Sequence, residues 1–392
     1  MYNKKVKGWT RKNDLWLFAA ASFLNDLGHY LFTAIWPIFV TVTIGASVTF
    51  LGFIDGFGIA LESVSQAVSG FLSDKTEKRK VFIWLGYLLP SLASLIYASS
   101  RNPFELFSGK FLDRSGKLRD APRDATIADE TEHNKRATAF GFLRAADRGG
   151  AFLGLAASAA LVAYFTYRQL FLLSAIPGFI GTAIILFFVS EAKKTARKKG
   201  NINLSFKGAG EGLRVFTIAS LAFTLGSFSD SFYILAMKNN GISLVAIPLV
   251  YLVYVFISFA SAVPFGKLAD RVGRKTVMAL SYGLLAITNM LFIFSRSILL
   301  FVVSFAVYGL VYGAYRGNLK AFVADLSPRD MRASYLGGFE MLVGLVSFPA
   351  SIIAGTLWQR IAPVATFSFA IAMSLIALVF IPFVAESGKD VV

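Results

Sequence analysis

Gly266-Lys267-Leu268-Ala269-Asp270-Arg271-Val272-Gly273-Arg274-Lys275 decides the fold, because Gly70-Phe71-Leu72-Ser73-Asp74-Lys75 matches its start 196 residues earlier. The same offset carries Ala128-Asp129 onto Ala324-Asp325 and Arg136-Ala137 onto Arg332-Ala333. It also pairs Gly45 with Gly241 and Gly141 with Gly337. The chain has 392 residues, so the offset is half its length and the sequence reads as a duplicated unit.

Each unit is apolar enough for a membrane. The chain is 56% hydrophobic and 16% charged, where a soluble domain carries roughly 25% charged residues. The apolar residues form long runs rather than one-sided stripes. A helix needs about 20 such residues to cross a bilayer. Twelve runs qualify: about 15–43, 47–72, 81–99, 103–128, 137–164 and 169–190, then 213–238, 243–268, 276–295, 298–324, 333–358 and 364–385. The alternation that a membrane barrel requires is absent. The predicted fold is an all-α membrane protein of twelve transmembrane helices in two pseudo-symmetric six-helix bundles. Residues 1–190 and 213–392 are the bundles, and 191–212 is a charged linker expected along the cytoplasmic surface.

The net charge of +16 follows topology, so no nucleic-acid partner is expected. Lys4, Lys5, Lys7, Arg11 and Lys12 precede the first span, and Lys75, Lys78, Arg79 and Lys80 follow the second. Lys135 and Arg136, Lys193 to Lys199, Arg271 to Lys275, and Arg329 with Arg332 continue in alternate connections. The intervening connections hold about one each, at Arg101, Arg168, Lys238, Arg296 and Arg360. Such a bias predicts a multi-pass protein of the cytoplasmic membrane with both termini cytoplasmic. With no cysteine, disulfides, thiol catalysis and Cys-ligated metals are excluded. His29 and His133 are the two histidines, and there is no G-x-x-x-x-G-K-[ST] loop. Neither an enzyme nor a cofactor or metal is expected.

Gly266 to Lys275 lies between the eighth and ninth spans and resembles the loop signature of the major facilitator superfamily, G-x-x-x-D-R/K-x-G-R-R/K. Gly70 to Lys80 is a looser copy between the second and third spans, with Glu77 where the second copy has Gly273. Asp113-Arg114-Ser115-Gly116-Lys117-Leu118-Arg119-Asp120-Ala121-Pro122-Arg123-Asp124-Ala125 resembles a narrower branch of uncharacterised bacterial and archaeal permeases. Lys110 stands where that branch has Arg. Gly149-Gly150 and Gly154 resemble the glycine-rich antiporter motif, with Leu155 in the place of its proline. The resemblance implies the major facilitator fold, a secondary transporter whose halves rock about a central site. It also implies a latch between the halves. Its gating residues would be Gly70, Asp74, Arg79, Asp129 and Arg136, with Gly266, Asp270, Arg271, Arg274, Asp325 and Arg332 in the second half. Gly70 is expected to allow close helix approach, and Asp74 to cap a helix N-terminus.

Ionisable groups at membrane depth are expensive unless paired or hydrated, so they are the leading functional candidates. Asp26, His29, Tyr30 and Thr33 share one face of the first span. Asp55 and Glu62 form a stripe on the second. Asp26, His29, Asp55 and Glu62 are therefore the candidate proton-coupling groups; structural pairing with a basic group on the fourth span is the alternative for the last two. Lys110 and Arg114 on the fourth span, Arg144 on the fifth, Asp230 on the seventh, and Tyr312 and Arg316 on the tenth are the candidate substrate contacts. Pro122 is expected to kink or break the fourth span.

The expected function is proton-coupled secondary transport of a small molecule by alternating access, by a monomer in a lipid bilayer. Two cargoes fit. One is an organic anion or metal chelate held by Lys110, Arg114, Arg144 and Arg316. The other is an amphiphilic or cationic compound exported along a phenylalanine-rich cavity, with Asp26 and Glu62 as acidic partners. A non-transporting membrane sensor is the remaining class.

Overall fold

The computed structural model describes residues 12–76, 78–132, 135–191, 210–328 and 331–385. Most of the expected linker, with Glu77, His133 and Arg329, lies outside the described residues. Every described regular element is helical. The first half contains α1 (Lys12–Thr33), α2 (Val48–Thr76), α3 (Arg79–Ser99), α4 (Pro103–Ser115), α5 (Asp120–Glu130), α6 (Arg136–Leu161) and α7 (Tyr167–Phe188). The second contains α8 (Glu211–Gly226), α9 (Ser231–Asn239), α10 (Ala246–Val272), α11 (Arg274–Phe294), α12 (Ile298–Asp325), α13 (Arg332–Arg360) and α14 (Pro363–Phe380). Counting α4 with α5 and α8 with α9 as single crossings gives the twelve expected spans, six per bundle. Nine described stretches are long and apolar enough to cross a membrane. The other three crossings, α1, α4 with α5, and α6, carry much of the intramembrane charge. Outward-facing side chains such as Phe187, Leu299 and Val379 form an apolar surface suited to lipid.

The duplication is visible in the backbone. Gly45 ends the first crossing with φ +71°, and its repeat mate Gly241 ends the seventh with φ +76°. Glycine is the residue that takes this left-handed cap without strain. Both crossings also break at repeat-related places. The first stops at Thr33 and resumes at Trp36, while the seventh stops at Gly226 and resumes at Ser231. Thr33 and Ser229 are 196 residues apart, as are Ala34 and Asp230.

The fourth crossing breaks earlier than Pro122. A 3-10 stretch spans Gly116–Arg119, and Pro122 lies in the first turn of α5. A first-turn proline lacks an N–H that the helix would not have used. The break follows from packing on α3: a Cβ on Gly86 would lie 2.6 Å from the Gly116 carbonyl. The Arg119 guanidinium donates to the Gly86 and Gly116 carbonyls at 2.8 and 3.0 Å, so the irregular backbone stays satisfied.

Within the halves, α1 packs on α6 and α7, and α10 packs on α12. Between them, α2 packs on α13 and α6 on α10. Gly150 and Gly154 serve the α1–α6 contact, with would-be Cβ atoms 2.2 Å from the Phe23 carbonyl and 2.5 Å from that of Leu27. Gly150→Val is therefore expected to lower the melting temperature of purified protein, since overpacking costs about 1–3 kcal/mol. An unchanged melting temperature would mean that α1 and α6 are not held this closely.

Candidate functional site

A cavity of about 690 Å³ lies between the bundles. Both broken crossings line it: Thr33 and Trp36 from the first, Ser227 to Ser231 from the seventh. Of the ten candidate coupling and substrate residues, His29, Asp55, Glu62, Lys110, Arg114, Asp230, Tyr312 and Arg316 line the wall. Asp26 and Arg144 do not. Asp26 sits beside Asn25, whose amide donates to it at 3.3 Å. Arg144 is six residues before Gly150, roughly 120° round α6 at ~100° per residue. Its side chain is exposed away from the glycine face that packs on α1.

Asp55 is the most heavily bonded carboxylate. Its Oδ1 accepts from Lys110 Nζ at 2.8 Å and from Trp36 Nε1 at 2.9 Å. Its Oδ2 accepts from Ser229 Oγ at 2.8 Å and Ser231 Oγ at 2.5 Å. Asp55 and Lys110 are each 5% exposed, so the charges neutralise one another out of water. The serines belong to the second half, so this carboxylate joins the bundles. With these four donors, Asp55 is a structural tie in this conformation. The serines escaped the sequence reading because they carry no charge. The break in the seventh crossing, with its Gly226-Ser227-Phe228-Ser229 run, was the available signal.

Glu62 lies further along α2 and is more accessible. Arg114 Nη1 approaches it at 3.3 Å and Lys117 Nζ at 3.6 Å, with its side chain 27% exposed. Both pairs fulfil the structural alternative of a basic partner on the fourth crossing. Across the cavity, Asp230 accepts from Tyr251 Oη at 2.7 Å and from Tyr308 Oη. Tyr312 Oη lies 3.0 Å from Ser227 Oγ and 3.3 Å from Tyr308 Oη. Tyr254 packs its ring on that of Tyr308, with centroids 4.8 Å apart. The guanidinium of Arg316 lies 4.9 Å from the centroid of the Tyr312 ring.

One end of the cavity is shut by α2 against α13. The Val48 N–H donates to Gln359 Oε1 at 3.0 Å, and the Thr49 hydroxyl to the Gly355 carbonyl at 3.3 Å. Would-be Cβ atoms on Gly52 and Gly56 would lie 2.1 Å from the Ser351 carbonyl and 2.7 Å from that of Phe348. The other end, with the loop signatures, is unpacked. Among the described residues, a Cβ on Gly141, Gly266 or Gly337 would meet nothing within 4 Å, and one on Gly70 would meet only Ala121 at 3.4 Å. Gly70 is therefore not a close-approach residue here. Asp74 does not cap an N-terminus either, because α2 runs past it to Thr76.

The candidate gating pairs form within each half. Arg79 bonds Asp129 at 2.8 Å and lies 3.6 Å from Asp74, while Arg274 bonds Asp325. Asp129 and Asp325 are repeat mates; Arg79 is one position late in the repeat yet reaches the equivalent carboxylate. Among the described residues, no ion pair joins the loop signature of one half to the other half. No role is visible here for Arg136, Asp270, Arg271 or Arg332 across the halves.

The description of the Major Facilitator Superfamily matches residues 18–228 and 215–390 of the chain. An uncharacterized MFS-type transporter of Methanocaldococcus jannaschii is 34% identical over 380 residues, covering 95% of this chain and 94% of the relative. Among solved structures, the nucleoside transporter NupG superposes with a TM-score of 0.79 at 14% identity, covering 95% of this chain and 98% of that one. A bacterial homolog of the human lysosomal transporter Spinster, in an inward-facing and occupied conformation, gives 0.77 at 13% identity over 96% of this chain and 97% of that one. At these identities the superpositions speak for the fold, and the matches along the whole sequence speak for descent. This multi-pass membrane protein belongs to the Major Facilitator Superfamily.

Proposed function

We propose that the chain is a proton-coupled secondary transporter that carries a small molecule through this cavity by alternating access. The observation that carries the reading is the pair of repeat-related helix breaks, at Thr33–Trp36 and Gly226–Ser231, both facing one polar cavity between the bundles. Irregular backbone at membrane depth survives where it lines a cavity, and interrupted helices at matching places in two repeats mark substrate sites. The basic loops favour a cytoplasmic loop-signature end, and in that orientation this conformation is open inward. The unpacked repeat mates Gly70 and Gly266, and Gly141 and Gly337, are the surfaces that meet when that end closes.

Glu62 is the coupling carboxyl in this reading. It faces the cavity and holds two cations by long contacts. A proton on Glu62 would loosen its hold on Arg114 and Lys117. The test uses proteoliposomes with an imposed pH gradient and a panel of labelled solutes. Glu62→Gln should abolish gradient-driven accumulation of the transported solute. It should leave exchange of labelled for unlabelled solute, which needs no net proton movement. Accumulation that persists in Glu62→Gln would remove Glu62 from coupling.

A further inference from the structure

The charges on the cavity wall do not balance one by one. Among the described residues, four carboxylates line it, and each already has donors. Asp55 holds Lys110 and three neutral donors, and Glu62 holds Arg114 and Lys117. Asp230 holds two tyrosine hydroxyls, and Glu340 pairs with Lys320 at 2.6 Å. Four cations also line the wall, and Lys110, Arg114 and Lys320 are spent on those carboxylates. Among the described residues, Arg316 alone of the four has no carboxylate within 4 Å of its guanidinium. It is exposed to the cavity and rests over the Tyr312 ring.

That ring is itself fixed. Tyr312 is bonded through Ser227 and Tyr308, and Tyr308 is bonded to Asp230. The carboxylate thus anchors the tyrosine wall on which Arg316 rests. A planar guanidinium matches the two oxygens of a carboxylate. Tyr30 and Phe32 from the first half and Phe223 and Phe228 from the second also line the cavity.

We infer that the transported molecule is a small aromatic monoanion, with its carboxylate bidentate on Arg316 and its ring among these aromatic side chains. The inference rests on the transport reading, because it takes the cavity as the solute's route. It narrows the two cargoes that the sequence left open. Among the described residues, a cation would find no carboxylate without a donor, and a multiply charged chelate would find one unpaired cation.

The experiment is a thermal-shift titration of the purified full-length chain with three probes: benzoate, cyclohexanecarboxylate and benzylammonium. Binding to the folded state raises the melting temperature by mass action. Benzoate should stabilise, benzylammonium should not, and cyclohexanecarboxylate should bind more weakly. Arg316→Gln should weaken benzoate by about tenfold or more, the usual effect of losing a charge-assisted pair. Arg316→Lys, which keeps the charge but loses the fork, should fall between. Arg316 has no carboxylate to strand, so its substitutions should fold, and the ligand-free melting temperature checks that. Stabilisation by benzylammonium equal to that by benzoate, an undiminished effect in Arg316→Gln, or no shift with any probe would overturn the inference. Cyclohexanecarboxylate binding as well as benzoate would overturn its aromatic part. None of these results bears on alternating access, which is read from distances between the halves without any ligand.

Discussion

Asp55→Asn is expected to open the shut end of the cavity. The amide keeps the size of the carboxyl, and the hydroxyls of Ser229 and Ser231 can turn to accept from it. What is lost is the charge, which leaves Lys110 unpaired at 5% exposure. Removing one partner of a buried ion pair typically costs about 3–5 kcal/mol. Opening this end would hydrate Lys110 and recover much of that penalty, so the change should appear as a population shift. Even about 1.4 kcal/mol of relief is tenfold in the ratio of the two states. The chain has no cysteine, so Thr49→Cys gives a single reporter at the shut end. Its maleimide labelling should be slow in the parent and about tenfold or more faster with Asp55→Asn. The double variant Asp55→Asn with Lys110→Met removes the stranded charge and should slow labelling again. Equal rates in all three proteins would show that Asp55 does not tie the halves.

Gly52→Val should act at the same end by sterics alone. Its Cβ would lie 2.1 Å from the carbonyl oxygen of Ser351 and 3.3 Å from the Phe232 ring. The nearer neighbour is backbone, so relief requires the α2–α13 contact to part. Overpacking of this kind costs about 1–3 kcal/mol, which favours the conformation in which this end is open. Gly337→Val is the reciprocal variant. It meets nothing within 4 Å here, so it should leave this conformation intact and hinder closure at the loop-signature end. The Thr49→Cys reporter should therefore label faster with Gly52→Val and more slowly with Gly337→Val. Changes in the same direction would contradict the assignment of these glycines to opposite closures.

The architecture was legible because its signals are local or periodic. Apolar runs marked the crossings, and the 196-residue offset marked the duplication, down to the matched left-handed caps at Gly45 and Gly241. Pairing of Asp55 and Glu62 with basic groups on the fourth crossing was also within reach, because membrane depth leaves a charge few alternatives. Other features depend on contacts between distant segments. Ser229 and Ser231 reach Asp55 across 174 and 176 positions, and nothing near them in sequence points to it. Which way Arg144 faces depended on which side of α6 packs on α1. Pro122 carried a local rule for a kink, but the contact between Gly86 and Gly116 set the break first. Arg316 was one of four basic candidates, and it stood out only once the structure showed where the other three were spent or placed.

Alternating access requires the two ends of the cavity to open in turn. Spin labels at Thr43 and Ile361 would span the shut end, and labels at Lys75 and Arg271 the loop-signature end. All four positions are exposed. Pulsed distance measurements on the parent, Asp55→Asn and Gly337→Val proteins in lipid nanodiscs test the claim directly. Opposite shifts are expected: in Asp55→Asn the first pair lengthens as the second shortens, and in Gly337→Val the second pair keeps its long distance. Both pairs lengthening together, or neither moving in Asp55→Asn, would contradict it.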